Sequence, residues 1–247
     1  MPHAIPDNTI DGPSVTDRPS ANAATMDQPS AEVSAWTSIA SNDSVTLAPL
    51  SGPAAALKRL EDFVFASVGL VLIAPLLMLI SVVIKLDSTG PALFCQQRYG
   101  RNREIIHVYK FRTMYQNGSA EFRQASRDDP RITRIGAFLR RTSLDELPQL
   151  FNVVQGSMSL VGPRPHPLKL DDDFKYVIPA LNSRYCVKPG ITGWAQINGF
   201  RGETTRVADM LGRVEHDRHY IRHWSLGLDL RILLKTVIKG WTHENAY

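Results

Sequence analysis

Cysteine is scarce in this chain of 247 residues: Cys95 and Cys186 are the two present, and they form no CxxC pair. A disulfide framework is excluded, a reducing compartment is the simpler setting, and both thiols are expected as small buried side chains. Basic residues are missing from the start of the chain. Residues 1–57 hold a single one, Arg18, in a stretch rich in Pro, Ser, Ala, Thr, Asp and Asn without hydrophobic period. Such a segment buries too little apolar surface to offset its ordering entropy and is expected to be a disordered tail. It lacks the basic start and apolar core of a signal peptide. A third absence is charge between residues 63 and 84, where "FVFASVGLVLIAPLLMLISVVI" runs 22 residues without an ionisable group.

That apolar run has the length of a transmembrane helix. Pro75 lies near its middle, where it removes one helical hydrogen bond and crowds the carbonyl of Val71. Both flanks are basic, with Lys58 and Arg59 before and Lys85, Arg98, Arg101 and Arg103 after. The positive-inside rule then places both ends on the cytoplasmic side, which a helix broken at Pro75 satisfies. The residues alone leave a re-entrant hairpin and a kinked span both open.

The formal net charge is +4, and the tail is acidic, so the remainder is more basic still. Charge of this kind suits nucleic acid, anionic lipid or phosphorylated substrates. The stretch "REIIHVYKFRTM" reads as a strand with Ile106, Val108, Lys110 and Arg112 on one face, so that two cations project together. Residues 118–131 read as a polar loop with a helical turn. In "SLDELPQLFNVVQGSMSLVGPRP" two carboxylates, Asp145 and Glu146, stand between Arg140 and Arg141 on one side and Arg164 on the other. Ser143 and Glu146 have the spacing of a capping box, although Pro148 fits poorly inside such a helix. The prolines around Arg164 hold that cation ready for an anion. "KPGITGWAQINGFRGET" reads as a turn, a short strand and a glycine-bounded loop presenting Arg201, with Gly190, Gly193, Gly199 and Gly202 permitting close backbone approach. The helix "WSLGLDLRILLKTVIKGW" suits either a membrane interface or packing on the core. His216, His219 and His223 share a helical face, but no nearby ligands complete a zinc site.

These stretches carry a resemblance. "KR" with a proline 16 residues after the Arg, "KFRTM", "DPRITRIGAFLRRTSLDELPQLFNVVQGSMSLVGPRP", "KPGITGWAQINGFRGET" and the terminal "ENAY" resemble the bacterial sugar transferases, the monotopic phosphoglycosyl transferases. The resemblance implies an α+β, mostly helical fold: a tail over 1–57, a re-entrant membrane helix over 58–86 broken near Pro75, and a cytoplasmic catalytic domain over 87–247 with interfacial amphipathic helices. Many members have Ser before that proline, where this chain has Ala74. Many also carry further transmembrane helices ahead of the domain, so here the catalytic module is expected to stand alone behind its tail.

The implied reaction moves a hexose 1-phosphate, glucose 1-phosphate first, from a UDP-sugar to undecaprenyl phosphate with release of UMP. The family's catalytic pair falls on Asp145, as nucleophile, and Glu146, with Mg2+ held at both. Lys110, Arg112, Arg140, Arg164 and Arg201 are the expected phosphate-binding cations, and Asp145 is expected to stay ionised beside them. Expected partners are the bilayer of the bacterial inner membrane and downstream glycosyltransferases, with no nucleic acid; a homodimer is left open. The alternatives are the same chemistry with UDP-galactose or a UDP-N-acetylhexosamine, or a non-catalytic membrane scaffold in which the carboxylates only cap a helix.

Overall fold

A computed structural model describes residues 47–48, 50–115, 129–202 and 206–240. The expected tail up to residue 46, most of the polar stretch 118–131, the end of the "GFRGET" loop and the terminal "ENAY" lie outside the described residues. Helix α1 spans Gly52–Asp87, with Pro53 in its first turn, where the missing N–H costs nothing. Folded structure therefore begins ahead of the expected boundary at Lys58, and Leu47 is already buried in the main core.

The helix continues through Pro75 instead of stopping there. Proline removes one donor from the ladder, and the turns on either side keep their own bonds, so the chain can pass through helical. Among the described residues α1 is the one helix long and apolar enough to cross a membrane. A single stripe of it, through Asp62, Ala66, Leu70, Ile73, Leu77, Ile80 and Ile84, is covered by the rest of the fold. Away from that stripe Val71 and Leu72 are 75% and 74% exposed.

Strands β1 (Leu93–Tyr99) and β2 (Ile105–Phe111) form an antiparallel hairpin in which Leu93 faces Phe111 and Tyr99 faces Ile105. Then come α2 (Arg134–Thr142), a 3-10 turn over Leu144–Glu146, and α3 (Gln149–Gln155). Strand β3 (Ser159–Val161) pairs in parallel with β4 (Gly190–Thr192) across a connection holding α4 (Leu168–Phe174) and a 3-10 stretch over Pro179–Cys186. Short α5 (Trp194–Ile197), α6 (Val207–Arg222) and α7 (Leu226–Gly240) complete an α+β, mostly helical fold. The main core joins Val108, Val153, Met158, Val161, Ile197 and Ile232 to Ala66 of α1. Ile80 and Ile84 pack instead with Phe111 and Leu139. Of the cysteines, Cys95 is exposed, against expectation, because it sits on the open face of the β1–β2 hairpin.

Both ends of α1 are tied to this body. At the near end Arg59 donates to the carbonyls of Val153 and Val154, both at 2.6 Å, closing the last turn of α3. At the far end Arg112 donates to the carbonyls of Ser88 (2.7 Å) and Ile84 (3.4 Å), and to that of Thr89. This corrects the expected phosphate-binding role of Arg112. Strand β2 ends at Phe111, and the buried Arg112 guanidinium serves carbonyls left over at a helix end.

Asp62 is the other tie. Its carboxylate accepts from Ser159 Oγ (3.0 Å) and Leu160 N (2.9 Å) and meets Lys58 Nζ at 3.1 Å. Lys58 in turn reaches Asp229 of α7 at 2.8 Å, and Asp229 accepts from Tyr220 and Trp224. Removing one member leaves buried charge and donors uncompensated. Asp62→Ala is expected to lower stability by about 3 kcal/mol, read as an earlier thermal transition in detergent; a wild-type melt would show that α1 is held by apolar contact alone.

Candidate active site

The site is built where α2, the 3-10 turn, α3 and strand β2 converge. Thr133 caps α2, its side chain accepting from Gly136 N at 2.9 Å. The helix ends at Ser143, whose φ of 59° turns the chain into the Leu144–Glu146 turn. Asn152 fixes the next helix against the sheet: its Oδ1 accepts from Tyr109 N (3.0 Å) and its Nδ2 donates to His107 O (2.7 Å), as a neighbouring strand would. Two adjacent carboxylates are thereby set over Lys110.

The capping box does not form. Ser143 makes no cap bond, α3 begins only after Pro148, and the Ser143 hydroxyl instead accepts a short bond from Arg201 Nη2. Pro148 sits just before α3, where its lack of an N–H is harmless. Glu146 is thus released from helix capping and taken up by cations. Lys110 Nζ lies 2.8 Å from Oε1, while Arg164 donates to Oε2 at 3.0 Å and to Oε1 at 2.5 Å. Burial works against its charge, yet Arg164 and Lys110 hold Glu146 well below the usual carboxylate range.

Asp145 is its opposite. It is buried, and among the described residues no hydrogen bond or ion pair engages its carboxylate. Burial first, and the Glu146 charge next, push it up to about 6 against the pull of Lys110, Arg140 and Arg164. The neighbouring cations act on Asp145 through their charge alone, while the direct bonds go to its neighbour, and with a pKa of about 6 the carboxyl is still mostly ionised at neutral pH. Arg140 acts on Asp145 through its charge, and Arg201 lies among Glu146, Arg164 and Asp145, its own pKa lowered mainly by burial and then by Arg164.

Sequence reading missed Arg98. It stands on β1, donates to Pro165 O at 3.2 Å, and is brought down to about 10 by burial and by Arg164 beside it. Also missed was the buried support behind Arg164. Arg184 donates a short bond to the Arg164 carbonyl, and His166 bonds Asp171 at 2.9 Å. Burial and the Arg184 charge push His166 down to about 3, so it is neutral there. Burial would raise Asp171, but His166 and Arg184 keep it at about 2. One signal was available: His166 stands two residues after Arg164, directly behind Pro165.

One other expectation resolves differently. A Cβ at Gly190 would lie 2.1 Å from Gly162 N and one at Gly193 2.3 Å from Gly162 O, so these glycines admit the chain's own backbone between β3 and β4. The three histidines meet rings: His219 stacks on Trp194 at 5.5 Å, His216 lies tilted on Phe200 at 4.7 Å, and His223 lies tilted on His219 at 4.3 Å. Among the described residues no group of three His, Cys, Asp or Glu could hold a metal ion.

The sequence profile of the bacterial sugar transferases matches residues 53–243, well over half of the chain. The chain belongs to the bacterial sugar transferase family. It is 50% identical over 200 residues to a UDP-glucose:undecaprenyl-phosphate glucose-1-phosphate transferase of Escherichia coli, covering 81% of this chain and 43% of that protein. It is 49% identical over 195 residues to an undecaprenyl-phosphate glucose phosphotransferase of Komagataeibacter xylinus, covering 77% and 37%. A UDP-N-acetylgalactosamine-undecaprenyl-phosphate N-acetylgalactosaminephosphotransferase of Aeromonas hydrophila is 42% identical over 182 residues, covering 73% and 43%. The chain thus spans less than half the length of these relatives.

A divalent cation fits this site in one observable respect. Asp145 offers a buried carboxylate whose lone pairs no donor occupies, beside a second negative charge. The raised pKa of Asp145 has a stability consequence. Between 3.8 and about 6 the unfolded chain ionises ahead of the folded one, so stability falls across that window and the full penalty stands above it. Asp145→Asn is therefore expected to melt later than wild type at pH 7.5, with a stability gain of about 3 kcal/mol at most, the difference vanishing as pH falls toward 3.8. An equal or lower melt at pH 7.5 would mean that Asp145 is already compensated.

Proposed function

We propose that this protein transfers a hexose 1-phosphate, glucose 1-phosphate first, from a UDP-sugar to undecaprenyl phosphate at the cytoplasmic face of a bacterial inner membrane. The carrying observation is the division of labour between two adjacent carboxylates: Glu146 is saturated by Lys110 and Arg164, while Asp145 is free of donors and more basic. A carboxylate with both oxygens bonded to cations is a poor nucleophile, and a desolvated, unbonded one is a good one. In this reading Asp145 Oδ attacks the sugar-linked phosphorus, and the bond from that phosphorus to the bridging oxygen breaks. UMP leaves with that oxygen, and an aspartyl phosphosugar remains. An oxygen of the lipid phosphate then attacks the same phosphorus and the Asp145 carboxylate is restored.

Lys110, Arg98, Arg164 and Arg201 surround this pair and would offset the negative charge of two phosphorylated substrates. Lys110 and Arg164 do so while anchored on Glu146, which makes Glu146 the holder of the cations. Mg2+, proposed from the family resemblance, would be held beside Asp145, since Lys110 and Arg164 already occupy both Glu146 oxygens, and would supply charge neutralisation at the diphosphate. Glucose is favoured because the relatives at about half identity are named for it; the Aeromonas relative keeps an N-acetylhexosamine donor as the second reading.

A monotopic placement draws support from α1. Arg59 and Arg112 tie its two ends to one folded body, which supports a reading with both ends on one side of a bilayer. Its bare apolar surface and that of α7, where Leu234, Val237 and Ile238 are each about two-thirds exposed, suit lipid contact.

The test is UMP release by purified protein with Mg2+ and a panel of UDP-sugars, with and without undecaprenyl phosphate. Lipid-dependent release with UDP-glucose is expected, with no turnover by Asp145→Asn. Arg164→Ala should lower kcat/KM by about a hundredfold. Turnover by Asp145→Asn, or silence with every donor from folded wild-type protein, would overturn the reading.

A further inference from the structure

A second charged cavity lies at the opposite end of α3 from the two carboxylates. It encloses about 80 Å³ beside the first turns of α1 and shares no residue with the carboxylate cluster. That volume has room for several water-sized groups, enough for a phosphate with the start of its ester chains. Arg59, Arg101 and Lys188 bring positive charge to it, and Val161, Ile221 and Trp224 give it an apolar wall.

The charges are not balanced from within. Arg59 serves the α3 carbonyls, and among the described residues no hydrogen bond or ion pair engages the side chain of Arg101 or Lys188. Asp62 also lines the cavity, but its carboxylate is committed to Lys58, Ser159 and Leu160. Lys188 is driven down first by burial and then by Arg59 and Arg101, with Asp62 opposing. Three cations held together beside an apolar wall gain from an anion that carries its own apolar tail.

The place of the cavity selects among anions. The charged turn Lys58–Asp62 closes just before the uncharged run begins at Phe63, and Leu57 and Leu60 on the same turns are 44% and 58% exposed. If α1 is seated in a bilayer, as the reading above has it, the cavity stands at headgroup depth. We infer that the Arg59, Arg101 and Lys188 cavity binds the headgroup of an anionic membrane phospholipid, separately from the transfer site. The bound lipid anchors the start of α1 and sets the height of the carboxylates above the membrane.

Native mass spectrometry of the full chain released from nanodiscs tests this, using phosphatidylcholine alone or mixed with phosphatidylglycerol. Wild type is expected to retain phosphatidylglycerol preferentially, and Arg101→Ala with Lys188→Ala to lose about tenfold of that retention. The charge-keeping pair Arg101→Lys with Lys188→Arg should retain it. Millimolar inorganic phosphate should leave retention unchanged. Equal retention by wild type and the alanine pair, with matching thermal melts, would overturn the inference. So would displacement by inorganic phosphate, which would mark a site for soluble anions. Protein that enters neither kind of nanodisc would overturn the membrane reading itself, whereas entry into both without lipid preference would overturn this inference alone.

Discussion

The pairing of Glu146 with Lys110 and Arg164 is the constraint on which the rest of the site depends. It joins three parts of the chain that are distant in sequence: strand β2, the turn before α3 and the rigid loop after β3. By satisfying one carboxylate completely, it leaves the adjacent one with burial and a like charge and with no donor. The contrast follows from placement, since both groups sit in the same 3-10 turn and differ in which way they face. What lies behind the clamp serves it. Arg184, with neutral His166 and Asp171 beside it, fixes the backbone of Arg164, while Asn152 fixes α3 against β2.

The chain's second constraint is at the root of α1. Lys58, Asp62 and Asp229 form a buried ionic joint between the long apolar helix, strand β3 and α7. A joint of this kind contributes little net stability compared with apolar packing, but it fixes geometry, because a shifted register leaves charges unpaired. It therefore sets how the apolar surfaces of α1 and α7 stand relative to each other. Arg112 does the same at the far end by gathering the carbonyls of Ile84, Ser88 and Thr89.

Much of this was legible before any coordinates. The charge-free run announced α1, the alternation in "IIHVYKF" gave β2 and the inward Lys110, and the arginines around Asp145 and Glu146 marked the site. The misreadings share a cause. A capping box, a cation pair on one strand face and ligand-approaching glycines are all local patterns, and each was overridden by a partner far away in sequence. Glu146 met Lys110 and Arg164, Arg112 met the end of α1, and Gly190 met Gly162. In the sequence Arg98 reads only as a flanking charge, since nothing near it in the chain shows that β1 brings it to Pro165. The continuity of α1 through Pro75 was hidden for a related reason: a proline reports one missing bond, and the packing around it decides whether the helix stops.

The account's central claim is that the unbonded Asp145, and not the clamped Glu146, takes the phosphosugar. The most direct measurement is intact-protein mass spectrometry after brief incubation with UDP-glucose and Mg2+ in the absence of lipid acceptor, followed by peptide mapping under acid quench. The account predicts a mass increase of one hexose phosphate, carried on Asp145, absent from Asp145→Asn and discharged when undecaprenyl phosphate is added. An adduct mapped to Glu146, or lipid-dependent turnover by a protein that never carries one, would contradict it.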